Sequence, residues 1–301
     1  MILRSLALAG AASLSGCATV TAPAAPPPPA PAVPPLGPAP ASPPGAMQWL
    51  YGSGEGGAAS QQAYAAFLAY VIAQSEHRPH DSVVLAADST LDTPNLVPCG
   101  DKPLAVVLDV DETALQNLGY EYDDATHPGR SFDPQRWNRW EQTGSRAVVA
   151  MPGAVEALER MRHYDVTVIF NSNRKAATAA QSEAALNGAG LGPAVHGQTL
   201  WLQDDVAPGG GKDPRRAAIA ARYCVIAMAG DQLGDFSDLF NARTLSGPDR
   251  RRYATSPPFS AMWGNGWFIL SNPVYGPGLR GNFDEIFPAD RRWHDPQGRP
   301  E

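Results

Sequence analysis

The sequence predicts an α/β protein built on a mostly parallel sheet. Three observations carry this. Apolar runs of strand length occur at Leu104–Leu108, Asp165–Phe170 and Tyr223–Ala229. Helical patterns fall around and between them, over Ala154–His163, Ala176–Leu186 and a helix containing Ala217–Arg222. Each apolar run ends in its own cluster of polar residues, and open α/β sheets bind ligands at the carboxyl ends of their strands.

The chain has 301 residues, enough for a sizeable core. Arg4 is followed by a short apolar stretch and then by Leu14, Ser15, Gly16 and Cys17, so residues 1–16 read as a secretory signal. The apolar stretch is too short to span a bilayer. The LSGC ending resembles the lipobox of bacterial lipoproteins, which implies lipidation of Cys17 and durable attachment to a membrane surface. Ala18 after the cysteine favours the outer membrane over inner-membrane retention, with the protein facing periplasm or cell surface. Residues 17–46 form a Pro/Ala-rich extended spacer that holds the folded part away from the membrane.

The folded domain is assigned to 47–290, with a tail at 291–301. Gln61–Ser75 reads as an amphipathic helix, with Tyr64, Phe67, Leu68 and Val71 facing the core. Just before it, Gly52–Gly57 formally fits G-x-G-x-x-G, but no strand precedes it, so a dinucleotide site is not supported. Residues 116–149 interrupt the strand–helix alternation and are rich in Trp and Tyr, which marks an insertion at one end of the sheet. From Arg250 onward regular periodicity fades. That part is expected to wrap the core, with Arg250, Arg251 and Arg252 in a solvated loop.

The formal net charge is -7, and no basic tract offers to neutralise a nucleic-acid backbone, so a nucleic-acid polymer is not the expected partner. Cys99 and Cys224 lie just upstream of the first and third apolar runs. In an exported protein they are either a disulfide or two separate thiols.

The strand ends define the chemistry. The first gives Asp109-Val-Asp111-Glu112-Thr113, the second Asn171-Ser172-Asn173-Arg174, and the third begins Gly230-Asp231 and reaches Asp235. Lys212 lies between the last two. Asp109 and Asp231 on adjacent strand ends repel unless a cation holds them, and hard oxygen donors suit Mg²⁺. A carboxylate attacks phosphorus effectively when cations neutralise the phosphoryl oxygens. Lys212, the Ser172 hydroxyl and the backbone around Asn173 are suited to hold that group. Asp111 can protonate a leaving oxygen and later deprotonate water. A P-loop is excluded, because Val206 stands where the first glycine belongs and Asp213 where Ser or Thr is needed. His80 and His196 have no phosphohistidine motif around them.

D-x-D-E-T, the Ser before Asn-Arg, the lone Lys and the final G-D-x-x-x-D resemble the four motifs of haloacid dehalogenase-superfamily phosphatases. FDPQRWNRW, NSNRK and NPVYG narrow the resemblance to class C bacterial acid phosphatases over roughly 47–287. The resemblance implies a Rossmann-like haloacid dehalogenase core with an α-helical accessory region, and Mg²⁺-dependent hydrolysis of small phosphomonoesters such as 5′-nucleotides. It casts Asp109 as nucleophile and metal ligand, and Asp111 as general acid/base whose backbone carbonyl also binds metal. Ser172 and Lys212 become phosphate ligands, Asp231 the remaining metal ligand and Asp235 a supporting residue. Trp137 or Trp140, with Tyr275, would give an aromatic wall for a base. Two alternatives stand beside this reading: a lipoprotein that binds nucleotides or an envelope partner without catalysis, and an enzyme acting mainly as a phosphotransferase.

Overall fold

The computed structural model describes residues 40–295. The expected signal segment 1–16, the lipidated Cys17, most of the 17–46 spacer and the end of the tail lie outside the described residues. Among the described residues no helix is long and apolar enough to cross a membrane.

A short helix α1 (Gly45–Met47) leads into the long helix α2 (Gly54–Glu76). The Ser53 side chain caps α2 by accepting from the Gly56 amide at 2.9 Å. The glycine-rich stretch therefore becomes a helix start. Strands β1 (Asp81–Leu85) and β2 (Leu96–Pro98) form an antiparallel ribbon. Then come β3 (Leu104–Leu108), β4 (Leu115–Gln116), helices α3 (Leu118–Ala125) and α4 (Pro134–Thr143), and β5 (Val149–Ala150). Helix α5 (Ala154–His163), strand β6 (Thr167–Lys175), helix α6 (Ala179–Gly188) and strand β7 (Leu200–Gln203) follow. The chain continues through α7 (Asp213–Arg222), β8 (Cys224–Gly230), α8 (Gly247–Thr255), β9 (Trp267–Ile269) and α9 (Phe283–Ile286).

Five strands make one parallel sheet in the order β7-β6-β3-β8-β9. Alternation along β3 explains its unbroken apolar run. Val106 and Leu108 join a core with Tyr64, Phe67 and Val71 of α2 and Leu158 and Met161 of α5. Ala105 and Val107 face the other layer, with Ile219 of α7, Phe236, Phe240 and Trp267. Both faces are covered, so the tips of β3, β6 and β8 are rigidly placed.

The insertion is delimited by pairing. β4 runs antiparallel to β5, with Leu115 opposite Ala150 and Gln116 opposite Val149. The two helices α3 and α4 rise between them. Cys99 and Cys224 are joined in a disulfide with their Cα atoms 4.6 Å apart, fastening the segment after β2 to the first residue of β8.

Two expectations need correction. The chain after Arg250 does more than wrap the core: Trp267–Ile269 joins the sheet beside β8 as its fifth strand. The arginine cluster is not a loop either. It sits in α8, which Ser246 caps by accepting from the Asp249 amide at 3.1 Å. Arg250 is tied down by donating to the Phe240 carbonyl at 3.0 Å. Strands β7 and β9 have four and three residues, too short to show a period.

Candidate active site

Asp109 is the first residue past β3, and its amide donates to the Ala229 carbonyl of β8 at 3.0 Å. That bond fixes it at the sheet's carboxyl edge. The chain then turns back: the amides of Ala114 and Leu115 both donate to the Val110 carbonyl, and Glu112 takes a left-handed φ of 52°. This turn sends the side chains of Asp109 and Asp111 to different partners.

The Lys212 ammonium donates to Asp109 and, at 2.7 Å, to Asp235 Oδ1. Asp235 in turn accepts the Gln232 amide at 2.8 Å. Asp231 accepts from Asn272 at 2.7 Å, from Gln232 at 2.8 Å and from the Thr113 hydroxyl at 3.2 Å. All four groups are buried. Three carboxylates face one ammonium, so negative charge is in excess. Burial and then Asp235 push the Asp109 carboxyl well above the usual aspartate range despite Lys212. Burial and Asp235 raise Asp231 to about 7 against its two amide donors. Burial alone would lower Lys212, but Asp109 and Asp235 hold it above the ordinary lysine value.

Asp109, Asp231 and Asp235 each place one oxygen within 4.8 Å of the others. The donor set is all oxygen and carries excess negative charge, which fits a hard divalent cation. Asp235, expected only as a supporting residue, belongs to this set, and the Asp111 carboxylate lies outside it.

Asp111 instead accepts from Arg174 Nε at 2.9 Å, Arg174 Nη2 at 2.8 Å and Asn117 at 2.9 Å. Burial would raise its carboxyl, but the Arg174 guanidinium and Asn117 hold it below the usual aspartate range. Ser172 donates to Asp111 Oδ2 at 3.3 Å and accepts the Arg174 amide at 3.1 Å. The Asn173 and Asn171 side chains both accept from Arg215 at 2.6 Å, so the β6 tip is braced from behind.

These groups open into a cleft of about 760 Å³, lined by Asp109, Asp111, Asn173, Lys212, Asp231 and Asp235 and walled by Tyr120, Trp137 and Tyr275. Trp137 donates to Glu141 at 2.8 Å and meets Tyr120 edge-on, ring centroids 4.9 Å apart. Trp140 does not line the cleft. It packs against Tyr120 and under Gly119 and Gly144, where a Cβ on Gly144 would come within 2.0 Å of the indole. The two tryptophans are three residues apart on α4, and only Trp137 is turned to the cleft. Of the two histidines, His196 pairs with Asp205 at 2.7 Å and His80 with Asp81 at 2.9 Å, and neither lines the cleft.

Residues 57–278 match the family described as HAD superfamily, subfamily IIIB (acid phosphatase). The chain belongs to this acid phosphatase family. The acid phosphatase is similar to the class C acid phosphatase from Bacillus anthracis, with 25% identity and a TM-score of 0.62 over 77% of this chain and 84% of the other. A second structure of that protein, with tungstate bound, is 22% identical over 80% of this chain and 92% of the other, again with a TM-score of 0.62. No curated protein matched the sequence. The family is one of phosphomonoesterases acting on small phosphoesters, so this acid phosphatase is an enzyme of that class.

Several residues of the site had no role assigned from sequence. Arg174 and Asn272 stand inside NSNRK and NPVYG, the motifs that carried the family resemblance, but the motifs do not say what either side chain holds. Glu112 accepts from Tyr51 at 3.2 Å, from the Asn117 amide at 2.9 Å and from the Tyr275 hydroxyl. It thereby ties the N-terminal segment and the chain beyond β9 to the turn after β3. Its position within D-x-D-E-T was the only signal. Glu121 of α3 gave none, because the helix lies in the aperiodic insertion.

Proposed function

We propose that this acid phosphatase hydrolyses small phosphomonoesters, 5′-nucleotides among them, through an aspartyl-phosphate on Asp109. The observation that supports this most is the meeting of Asp109 with Lys212 at one buried point, beside Asp231 and Asp235, at the open end of the sheet. Asp109, Asp231 and Asp235 would hold Mg²⁺, with the Asp111 carbonyl as a further donor. When bound, Mg²⁺ supplies charge neutralisation at the phosphoryl oxygens and at the crowded carboxylates.

The chain's own residues divide the remaining work. Asp109 presents a carboxylate oxygen to phosphorus from a strand tip that cannot drift. Lys212 is bonded to Asp109 and Asp235 and stays cationic, so it can transfer a hydrogen bond to a phosphoryl oxygen. Ser172 lies next to Asp111 and contributes its hydroxyl on the same side. Asp111 protonates the leaving oxygen and later takes a proton from water. Held ionised by Arg174, it is poised for the second step and needs a proton for the first, which suits an acidic medium. Trp137, Tyr120 and Tyr275 give a leaving group flat apolar surfaces.

The test is phosphate release from a nucleoside monophosphate and from p-nitrophenyl phosphate, with Mg²⁺ and with chelator. Release that persists in chelator contradicts the metal assignment, and no release in either condition contradicts the reading as a whole. The lipidated Cys17 and an outer-membrane position belong to the same proposal. They are supported by the LSGC sequence and the Pro/Ala-rich spacer, and radiolabelled palmitate incorporation that survives Cys17→Ser would refute them.

A further inference from the structure

Glu121 of α3 is only 5% exposed and lines the same cleft as Asp109 and Lys212. Among the described residues its carboxylate accepts no side-chain hydrogen bond, although donors lie close in the fold. The Tyr51 hydroxyl is given to Glu112. The Arg136 fork goes to Asp123, Asp124 and the Tyr120 hydroxyl. Burial, with Glu112 and Asp124 nearby, pushes the Glu121 carboxyl up to about 8. Buried acceptors are almost always paired, and one left open toward a cavity waits for donors from a ligand. The neighbouring wall is aromatic, with Tyr120 and Trp137 lining the cleft beside it. A flat ring bearing N–H donors on its edge satisfies both features together.

We infer that Glu121 reads the edge of a nucleobase and favours one with two adjacent N–H donors, as guanine presents at N1 and its 2-amino group. Glu121 is then a specificity-determining residue at the leaving-group end of the cleft. This rests on the nucleotide reading above and goes beyond it by naming the base. Once ionised, a single carboxylate accepts two parallel N–H bonds only when both donors lie on one edge, and that pair of bonds favours the ionised form over the protonated one that burial holds below about pH 8. Hypoxanthine keeps N1–H but lacks the 2-amino group, so it satisfies one oxygen and leaves the other.

The experiment compares binding of 5′-GMP and 5′-IMP, which differ only in that amino group. Calorimetry is run on the full chain carrying Asp109→Asn, alone and combined with Glu121→Gln or Glu121→Met. Wild-type turnover of p-nitrophenyl phosphate is measured in parallel. At pH 8.5, above the Glu121 value of about 8 so that its carboxylate is largely ionised, GMP should bind roughly tenfold or more tightly than IMP, because the lost bond is charge-assisted. The ratio should shrink in the Gln variant and approach one in the Met variant. A purely structural role for Glu121 would weaken both nucleotides alike and leave the ratio unchanged. Equal affinities with Glu121 in place, a ratio retained in both variants, or no binding of either nucleotide overturns the inference. Failure to turn over p-nitrophenyl phosphate sinks the phosphatase reading instead, and the GMP-to-IMP ratio still decides the role of Glu121.

Discussion

Lys212 bridges Asp109 and Asp235 from a single ammonium, with 2.7 Å to Asp235 Oδ1, and all three side chains are buried. Removing that charge leaves two carboxylates facing each other out of water. Lys212→Met should therefore lose about 3 kcal/mol of stability near neutral pH in metal-free protein. The loss should shrink toward pH 5. Asp109 already holds its proton more tightly in the fold than in the unfolded chain, and more so without Lys212, so stability falls as pH rises. Urea midpoints at the two pH values measure this. An equal loss at both would mean the carboxylates are not the source.

Arg174 and Asn117 hold Asp111 ionised. Arg174→Met should raise the Asp111 carboxyl toward and beyond the ordinary aspartate value. If Asp111 is the base that activates water, the acidic limb of the kcat profile moves to higher pH in the variant. An acidic limb that stays in place would separate Asp111 from that step.

Glu121 supplies a pH dependence away from the carboxylates proposed to hold metal. Its folded value is about 8 against an ordinary 4.5, through burial first and then Glu112 and Asp124. The folded chain binds a proton that the unfolded chain has lost. The contribution is fully present below about 4.5 and disappears as pH rises through about 8. Glu121→Gln should flatten the decline in unfolding free energy from urea titration between pH 5 and 8.5 by a few kcal/mol. A slope identical to that of the wild type would contradict this.

The Cys99–Cys224 bond closes a separation of 125 residues. Cys99→Ser with Cys224→Ser should lower stability by about 2–5 kcal/mol through the freed unfolded chain, with catalysis retained because the bond lies at the amino end of β8. Urea midpoints and phosphate release from the same preparation check both halves.

Much of this architecture was legible in the residues, for identifiable reasons. Runs such as Leu104–Leu108 are apolar on both faces because core layers cover both sides of the sheet, and that leaves a strong signal. The clusters after β3, β6 and β8 could be placed together because parallel strands point their carboxyl ends one way. β9 was hidden because its three residues lie in an aperiodic segment, and it becomes a strand only by pairing with β8. The roles of Arg174, Asn272 and Asp235 depend on which oxygen each side chain reaches, which residue type does not specify. Trp137 and Trp140 are alike in the sequence and parted only by the rotation of α4, with Gly119 and Gly144 making room for one of them.

The central claim is that Asp109, and not Asp111, becomes phosphorylated. Acid quenching during turnover of a ³²P-labelled phosphomonoester, followed by peptide mapping, measures it directly. The label should appear on the peptide carrying Asp109, in an acyl-phosphate that hydroxylamine removes, and be absent from Asp109→Asn. Label on Asp111, on His80 or on His196, or label that survives in Asp109→Asn, would contradict the account.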